Sequence, residues 1–229
     1  MSLAVASMLP TGALWAMNAV HDAKVAFDRI RSQREEDGKV RVLVVGTGTL
    51  ALWALRLAHY YFGPDHKHLQ ITVAALKDEG IKDVLEEYMF NVVTWNDQLH
   101  EAALLERTVN VAGGPVDIVI DFGTTTRSLL RGLQCLNRGG VVLIGTEASE
   151  FLIRRLKCHI DDVGAKIHGV EMGSYDQLKE LVDLVAMKKI EPPPYTLFPC
   201  DQAAEAVKMV NRGDCQGHGI LQFAELLEE

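Results

Sequence analysis

From Val40 onward the chain alternates short β-branched runs with segments of helical length, and no other feature restricts its fold so strongly. Val40 to Val45 is apolar except for Arg41 and reads as a strand buried on both faces. Thr49 to Phe62 is apolar almost all round, interrupted by Arg56 and His59, and reads as a helix enclosed within a domain. Further strands are predicted at 71–75, 91–95, 116–122 and 141–144, with a weaker one at 166–170, and helices at 81–89, 97–109 and 125–136. This order predicts an α/β fold: a doubly wound parallel sheet of about six strands with helices on both faces. Before it, 13–34 reads as an amphipathic helix with Leu14, Met17, Val20, Ala23 and Phe27 on one stripe. After it, Ser174 and Gln177 form a capping box for a helix that turns Leu178, Leu181, Val182 and Val185 to one side. Pro192, Pro193 and Pro194 give a stiff extended link. Asp201 is expected to cap a last helix, and 219–223 to form a closing strand.

Between the first strand and its helix stands Gly46-Thr47-Gly48-Thr49-Leu50-Ala51, a G-x-G-x-x-A turn. The first glycine permits a tight turn, and the second lets the backbone come close to a pyrophosphate. The small third residue lets the helix pack close to the strand. Free backbone N–H groups and the positive end of the helix dipole then face the phosphate charge, so a nucleotide-type cofactor is expected at this turn.

The 229 residues are 48% hydrophobic and carry a formal net charge of −8, too apolar for a disordered chain. The acidic balance argues against a nucleic-acid partner. The cysteines at 135, 158, 200 and 215 include no pair at two-residue spacing, so idle thiols in a reducing compartment are expected. The apolar run 42–55 is too short to span a bilayer, and the N-terminus lacks the basic start of a secretory signal. A cytoplasmic location with no membrane partner is the expectation.

The chain resembles the cofactor domain of the medium-chain dehydrogenase/reductases, the superfamily of zinc alcohol dehydrogenases and quinone reductases. The residues that carry this are Val42-Leu43-Val44-Val45-Gly46-Thr47-Gly48, Val116-Asp117-Ile118-Val119-Ile120-Asp121 with Phe122-Gly123, and Gly139-Gly140-Val141-Val142-Leu143-Ile144-Gly145. Leu9-Pro10-Thr11-Gly12, the Asn211-Arg212-Gly213 turn and Gly217-His218-Gly219-Ile220-Leu221 are similar as well. The resemblance implies a Rossmann domain over 1–229, with 1–38 as the leading segment and 39–229 as the core and closing segment. The family's GroES-like catalytic domain is absent from this chain, which starts about where that domain would end. Where some zinc members carry a late cysteine ligand this sequence has Ser7, so no catalytic zinc is expected. His66 and His68 around Lys67, and the adjacent Cys158 and His159, do not make a tetrahedral set.

An NAD-specific member would carry an acid at the end of the second strand; here that place is Ala75. A small residue leaves room for the 2′-phosphate of NADP, and Lys77, with Lys82 as a weaker candidate, could answer its charge. NADP is therefore preferred; NAD stays open, since a shift of register could bring Asp78 or Glu79 to the ribose. The resemblance lays the nicotinamide across Phe122, Gly123 and Thr124, then Gly145, Thr146 and Glu147, then Glu171 and Met172. The threonines 124–126 serve equally as a helix cap, Asp121 reads as structural, and His218 stands where many members carry an arginine. The reaction implied is hydride transfer between a nicotinamide and a carbonyl or activated alkene, with no zinc. His21, Tyr60, Tyr61 and Glu147 are conceivable acids, none is singled out, and the substrate is unknown. The family further implies a homodimer paired through an edge strand. Two other readings stay open: a non-catalytic nucleotide-binding or structural module of the same fold, and a methyltransferase using S-adenosylmethionine.

Overall fold

The computed structural model describes residues 1–46, 48–62, 67–75, 88, 90–95, 100–212, 214–215 and 217–223. Six parallel strands form one sheet: β1 (Val40–Val45), β2 (Leu69–Ala75), β3 (Asn91–Thr94), β4 (Val116–Asp121), β5 (Leu136–Gly145) and β6 (Lys166–Val170). Their order across the sheet is β3-β2-β1-β4-β5-β6, so the chain doubles back between β1 and β4. That reversal opens a crevice at the carboxyl ends of these two strands.

Strand residues alternate between two cores. Val42, Val44, Ile118, Ile120, Val141 and Leu143 pack with α2 (Leu14–Arg31), α3 (Thr49–Phe62) and α7 (Tyr175–Ala186) on one face. Leu43, Val45, Val119, Val142 and Ile144 pack on the other face with α4 (Glu101–Val111), α5 (Thr126–Cys135) and α6 (Thr146–Val163). The period of two along each strand therefore fills both faces, as a fully covered parallel sheet requires.

The leading helix differs from its sequence reading. It starts earlier, as α1 (Leu3–Met8), and passes through a π-helical turn at Leu9–Ala13 into α2. Pro10 cannot donate an N–H to a preceding turn, and the wider turn takes up that defect without ending the helix. Leu3–Arg31 is by length and composition apolar enough to cross a membrane, and in this fold more than half of its apolar window is buried inside the protein.

Two further elements depart from expectation. α6 was not read from the sequence at all. The closing strand, β8 (His218–Gln222), does not extend the main sheet but pairs in parallel with β7 (Tyr195–Pro199) in a separate two-stranded sheet. Asp201 lies in a 3-10 turn, Cys200–Gln202, ahead of α8 (Ala203–Arg212), so it precedes that helix by more than a cap position. The capping box of Ser174 and Gln177 is present. The helix predicted at 81–89 falls mostly outside the described residues, as do Lys77, Asp78, Glu79, Lys82 and His66.

Candidate functional site

The turn after β1 lies directly beside the turn after β4. Gly46 N donates to Ala74 O at 3.1 Å, and Phe122 N donates to Val45 O at 3.0 Å, which ties the glycine turn between β2 and β4. Gly46 has φ +124°, and a Cβ placed there would come within 3.3 Å of Phe122 Cβ. Glycine is required on both counts. Gly48 is different: a Cβ there would meet nothing within 4 Å. The backbone is open to an approaching group at the N-terminus of α3, where amide hydrogens have no helical acceptor. Thr49, Leu50 and Ala51 begin α3, with Ala51 buried against the sheet; Thr47 lies outside the described residues. Gly12 of the π-turn stands over the same end of α3, where a Cβ placed on it would come within 3.3 Å of Leu50 Cδ2.

Ala75 ends β2 and is fully buried, and its carbonyl accepts from Trp95 N at 2.6 Å. It carries no polar group to meet a ribose. At the end of β4, Asp121 accepts from Gly123 N at 2.8 Å and from Ser128 Oγ at 3.0 Å. Thr125 caps α5 in a reciprocal pair with Ser128. Asp121 thus clamps the Phe122–Gly123–Thr124 turn to the start of α5, and Thr124 is held there at φ 49°. Burial pushes the Asp121 carboxyl up to about 6, although hydrogen bonds from Ser128, Gly123 and Thr124 pull the other way.

The sign of this shift has a measurable consequence. A carboxyl raised above its ordinary value binds its proton more tightly in the folded chain, so stability falls as pH rises from about 4 to about 6. Asp121→Asn should therefore gain on wild type by about 2 kcal/mol between pH 4.5 and pH 8, read from urea unfolding at both pH values. A pH-independent offset between the two proteins would refute the assignment.

A cleft of about 410 Å³ opens at the carboxyl ends of β4, β5 and β6. Thr124 comes from the β4 turn; Gly145, Thr146, Glu147 and Ala148 from the passage of β5 into α6; Val170, Glu171 and Met172 from the end of β6. Gly145 stands at the N-cap of α6, where no side chain caps the helix, so the first amides of α6 face the cleft region uncapped. The residues expected around a nicotinamide are thus brought together, except that Phe122 and Gly123 sit at the neighbouring crevice. Phe122 joins the two halves: it touches the Gly46 position on one side and meets the Trp15 ring edge-on at 5.6 Å on the other.

Trp15 was missed from the sequence. It belongs to α2, lines the cleft, and donates Nε1–H to Val170 O at 3.1 Å. Asn18, one turn on, donates to Glu171 O at 2.9 Å and accepts from Gln177 Nε2 at 3.1 Å. Both side chains hold the exit of β6 against α2. The available signal was a bulky aromatic beside the apolar stripe of an amphipathic helix, since Leu14 and Met17 already fill the core on either side.

The conceivable acids do not gather at the cleft. His21 lies against Tyr61 at 4.6 Å, with Gln177 Nε2 at 3.0 Å from Nδ1, and Tyr61 donates to Glu180 at 2.9 Å. Burial lowers the His21 pKa and raises that of Tyr61. Glu147 alone among the four borders the cleft. His218 sits on β8, half-buried, its pKa lowered by that burial. Ser7 spends its hydroxyl on Ala4 O at 2.8 Å, Cys158 is exposed on α6, and Cys135 is buried. Among the described residues no three His, Cys, Asp or Glu side chains stand close enough to share a metal.

Known proteins resemble this chain in sequence and in fold. The family model described as zinc-binding dehydrogenase matches residues 96–221, more than half of the chain. A zinc-type alcohol dehydrogenase-like protein of Schizosaccharomyces pombe is 26% identical over 202 residues, which cover 86% of this chain and 54% of that protein. The chain therefore spans about half the length of that curated relative. Among solved structures, an NAD-dependent alcohol dehydrogenase superposes with TM-score 0.72 at 18% identity, covering 98% of this chain and 60% of the other. The quinone oxidoreductase of Coxiella burnetii gives 0.67 at 18% identity, over 94% and 59%. At such identities these likenesses show the fold.

Proposed function

The chain belongs to the zinc-binding dehydrogenase family, and from that premise we propose that it is the nicotinamide-dinucleotide-binding part of an oxidoreductase acting on a carbonyl or an activated alkene. The observation that carries this reading is the open backbone at Gly48, continuous through Phe122 with the cleft at β5 and β6. A diphosphate fits where Gly48 has no neighbour, and the uncapped first turn of α6 can receive the polar substituent of a flat ring. When bound, the dinucleotide supplies the hydride chemistry; the protein's part is to hold it, orient it and exclude water. The reading keeps the reaction zinc-independent, because Ser7 stands where some zinc members carry a cysteine ligand.

Ala75 supports NADP over NAD, since this last described residue of β2 carries neither a carboxylate to bind the ribose hydroxyls nor one to repel a 2′-phosphate. Lys77, two residues further, is the proposed cation. Lys77→Ala should weaken NADPH by about tenfold while NADH changes by less than about twofold, in fluorescence titrations of the two. Equal losses would remove Lys77 from the site. Tight binding of dinucleotide without carbonyl or quinone reduction would favour the second reading, a binding module without catalysis; His21 and Tyr61, two of the conceivable acids, pair with each other away from the cleft, which supports keeping it. Homodimer formation belongs to the same proposal, because among the described residues β6 is an edge strand of the sheet.

A further inference from the structure

We propose that the Trp15 indole occupies the place of a flat ring at the ends of β5 and β6, so that a whole dinucleotide must displace it while an ADP-ribose moiety need not. This rests on the dinucleotide reading above and adds to it the residue that sets which ligands bind.

Gly145 and Val170 are partners in register, the last pair of the β5–β6 ladder. Trp15 covers both. Its Nε1–H donates to Val170 O at 3.1 Å, and its ring lies so close to Gly145 that a Cβ there would come within 2.5 Å of Cζ2. On its other side the indole meets Phe122 edge-on, with ring centroids 5.6 Å apart. Phe122 in turn backs the Gly46 turn, and neither Phe122 nor Gly46 nor Gly48 is among the described residues that line the cleft. Trp15 therefore stands between the glycine crevice and the cleft, and a ligand that reaches from one to the other crosses its position.

What the indole holds there is what a nicotinamide would need: flat backbone at a glycine, and a carbonyl to receive an N–H. With the indole packed against Gly145, a second ring has no space on that surface. The indole can yield, because Trp15 is only partly buried and a tryptophan on a helix has two favoured χ1 wells. The cleft of about 410 Å³ beside it has room for the displaced ring. Asn18, one turn further along α2, bonds Glu171 O at 2.9 Å and keeps the exit of β6 in place when Trp15 moves.

Isothermal titration calorimetry on the full chain would compare NADP+ with 2′-phospho-ADP-ribose, and NAD+ with ADP-ribose. Displacement forfeits one hydrogen bond and one aromatic contact, so Trp15→Ala should bind both dinucleotides about thirtyfold more tightly than wild type. The two ADP-ribose ligands should change by less than about twofold, since they do not reach the indole. Trp15→Phe keeps a ring but loses the N–H; it should gain about fivefold for the dinucleotides, and it carries the test if the alanine variant folds poorly. Tryptophan fluorescence gives a second reading. Of the three tryptophans, Trp53 and Trp95 are buried, so acrylamide quenching reports on Trp15. In the wild type NADP+ should change that quenching and 2′-phospho-ADP-ribose should not. Dinucleotide affinity unchanged or weakened in the variants would show that the indole is a wall on which the ring rests, and would overturn the proposal while leaving the dinucleotide site intact. Failure of every ligand to bind, ADP-ribose included, would overturn the dinucleotide reading and this inference with it.

Discussion

Gly48→Val should reduce dinucleotide affinity by about a hundredfold, roughly 2.7 kcal/mol, while leaving the melting temperature within about 1 °C of wild type. The two halves of this expectation have separate causes. Apart from its neighbours in the chain, no described residue comes within 4 Å of a Cβ at position 48, so the fold has room for the side chain. That same room is what a diphosphate would occupy to reach the amides at the start of α3, and two methyl groups there would hold it beyond hydrogen-bonding distance. Calorimetric titration with NADPH and NADH, paired with thermal unfolding, reads both quantities. Gly46→Ala is the informative contrast. Its φ of +124° is hostile to any side chain, and the new methyl would crowd Phe122, so it should cost stability first, on the order of 1–3 kcal/mol. If Gly48→Val bound dinucleotide normally, the proposed phosphate site would be lost, whatever the fold.

The glycine turn and the helix behind it were legible because their signal is local. The bounds of α3, Thr49–Phe62, follow from an apolar run that begins right after the glycines. The parallel sheet followed from the alternation of strands and helices, while the order of its strands came only from the structure. α6 escaped because its buried residues, Leu152, Leu156 and Ile160, are spread four apart among Arg154, Arg155, Lys157, Asp161 and Asp162. A helix with one thin buried stripe looks like a charged loop when scanned for apolar density. The strand at 218–222 was visible as a strand, but a period of two says nothing about which partner it takes. Trp15 shows a third limit. Its role depends on Val170, 155 residues away, and on Phe122, and no local pattern carries either contact.

The same limit applied to Asp117, whose importance the structure makes plain at the opposite end of β4. Asp117 is buried and accepts three hydrogen bonds: from Arg34 Nη2, from Asn137 Nδ2 at 2.7 Å, and from the backbone N of Arg41 at 2.8 Å. It joins the end of the loop after α2, the first residues of β1 and the start of β5. Asp117→Ala would leave the Arg41 amide and the Asn137 amide group without their acceptor and the Arg34 guanidinium without its counter-ion. Each buried loss costs about 1–3 kcal/mol, and Arg34, only partly buried, contributes at the lower end. We expect a loss of about 3–4 kcal/mol in urea unfolding at pH 7. Asp117→Asn should recover little of it. Both carboxylate oxygens face donors, so the amide nitrogen of asparagine must oppose one of them whichever way it turns. Arg34→Gln, which leaves Asp117 its two uncharged donors, should cost less than either. Dinucleotide affinity measured well below the melting temperature should be unaffected by all three, because this cluster fastens the amino ends of the strands and the crevice lies at their carboxyl ends. A loss under about 1 kcal/mol for Asp117→Ala would show that solvent replaces these bonds and that the strands are held by packing alone.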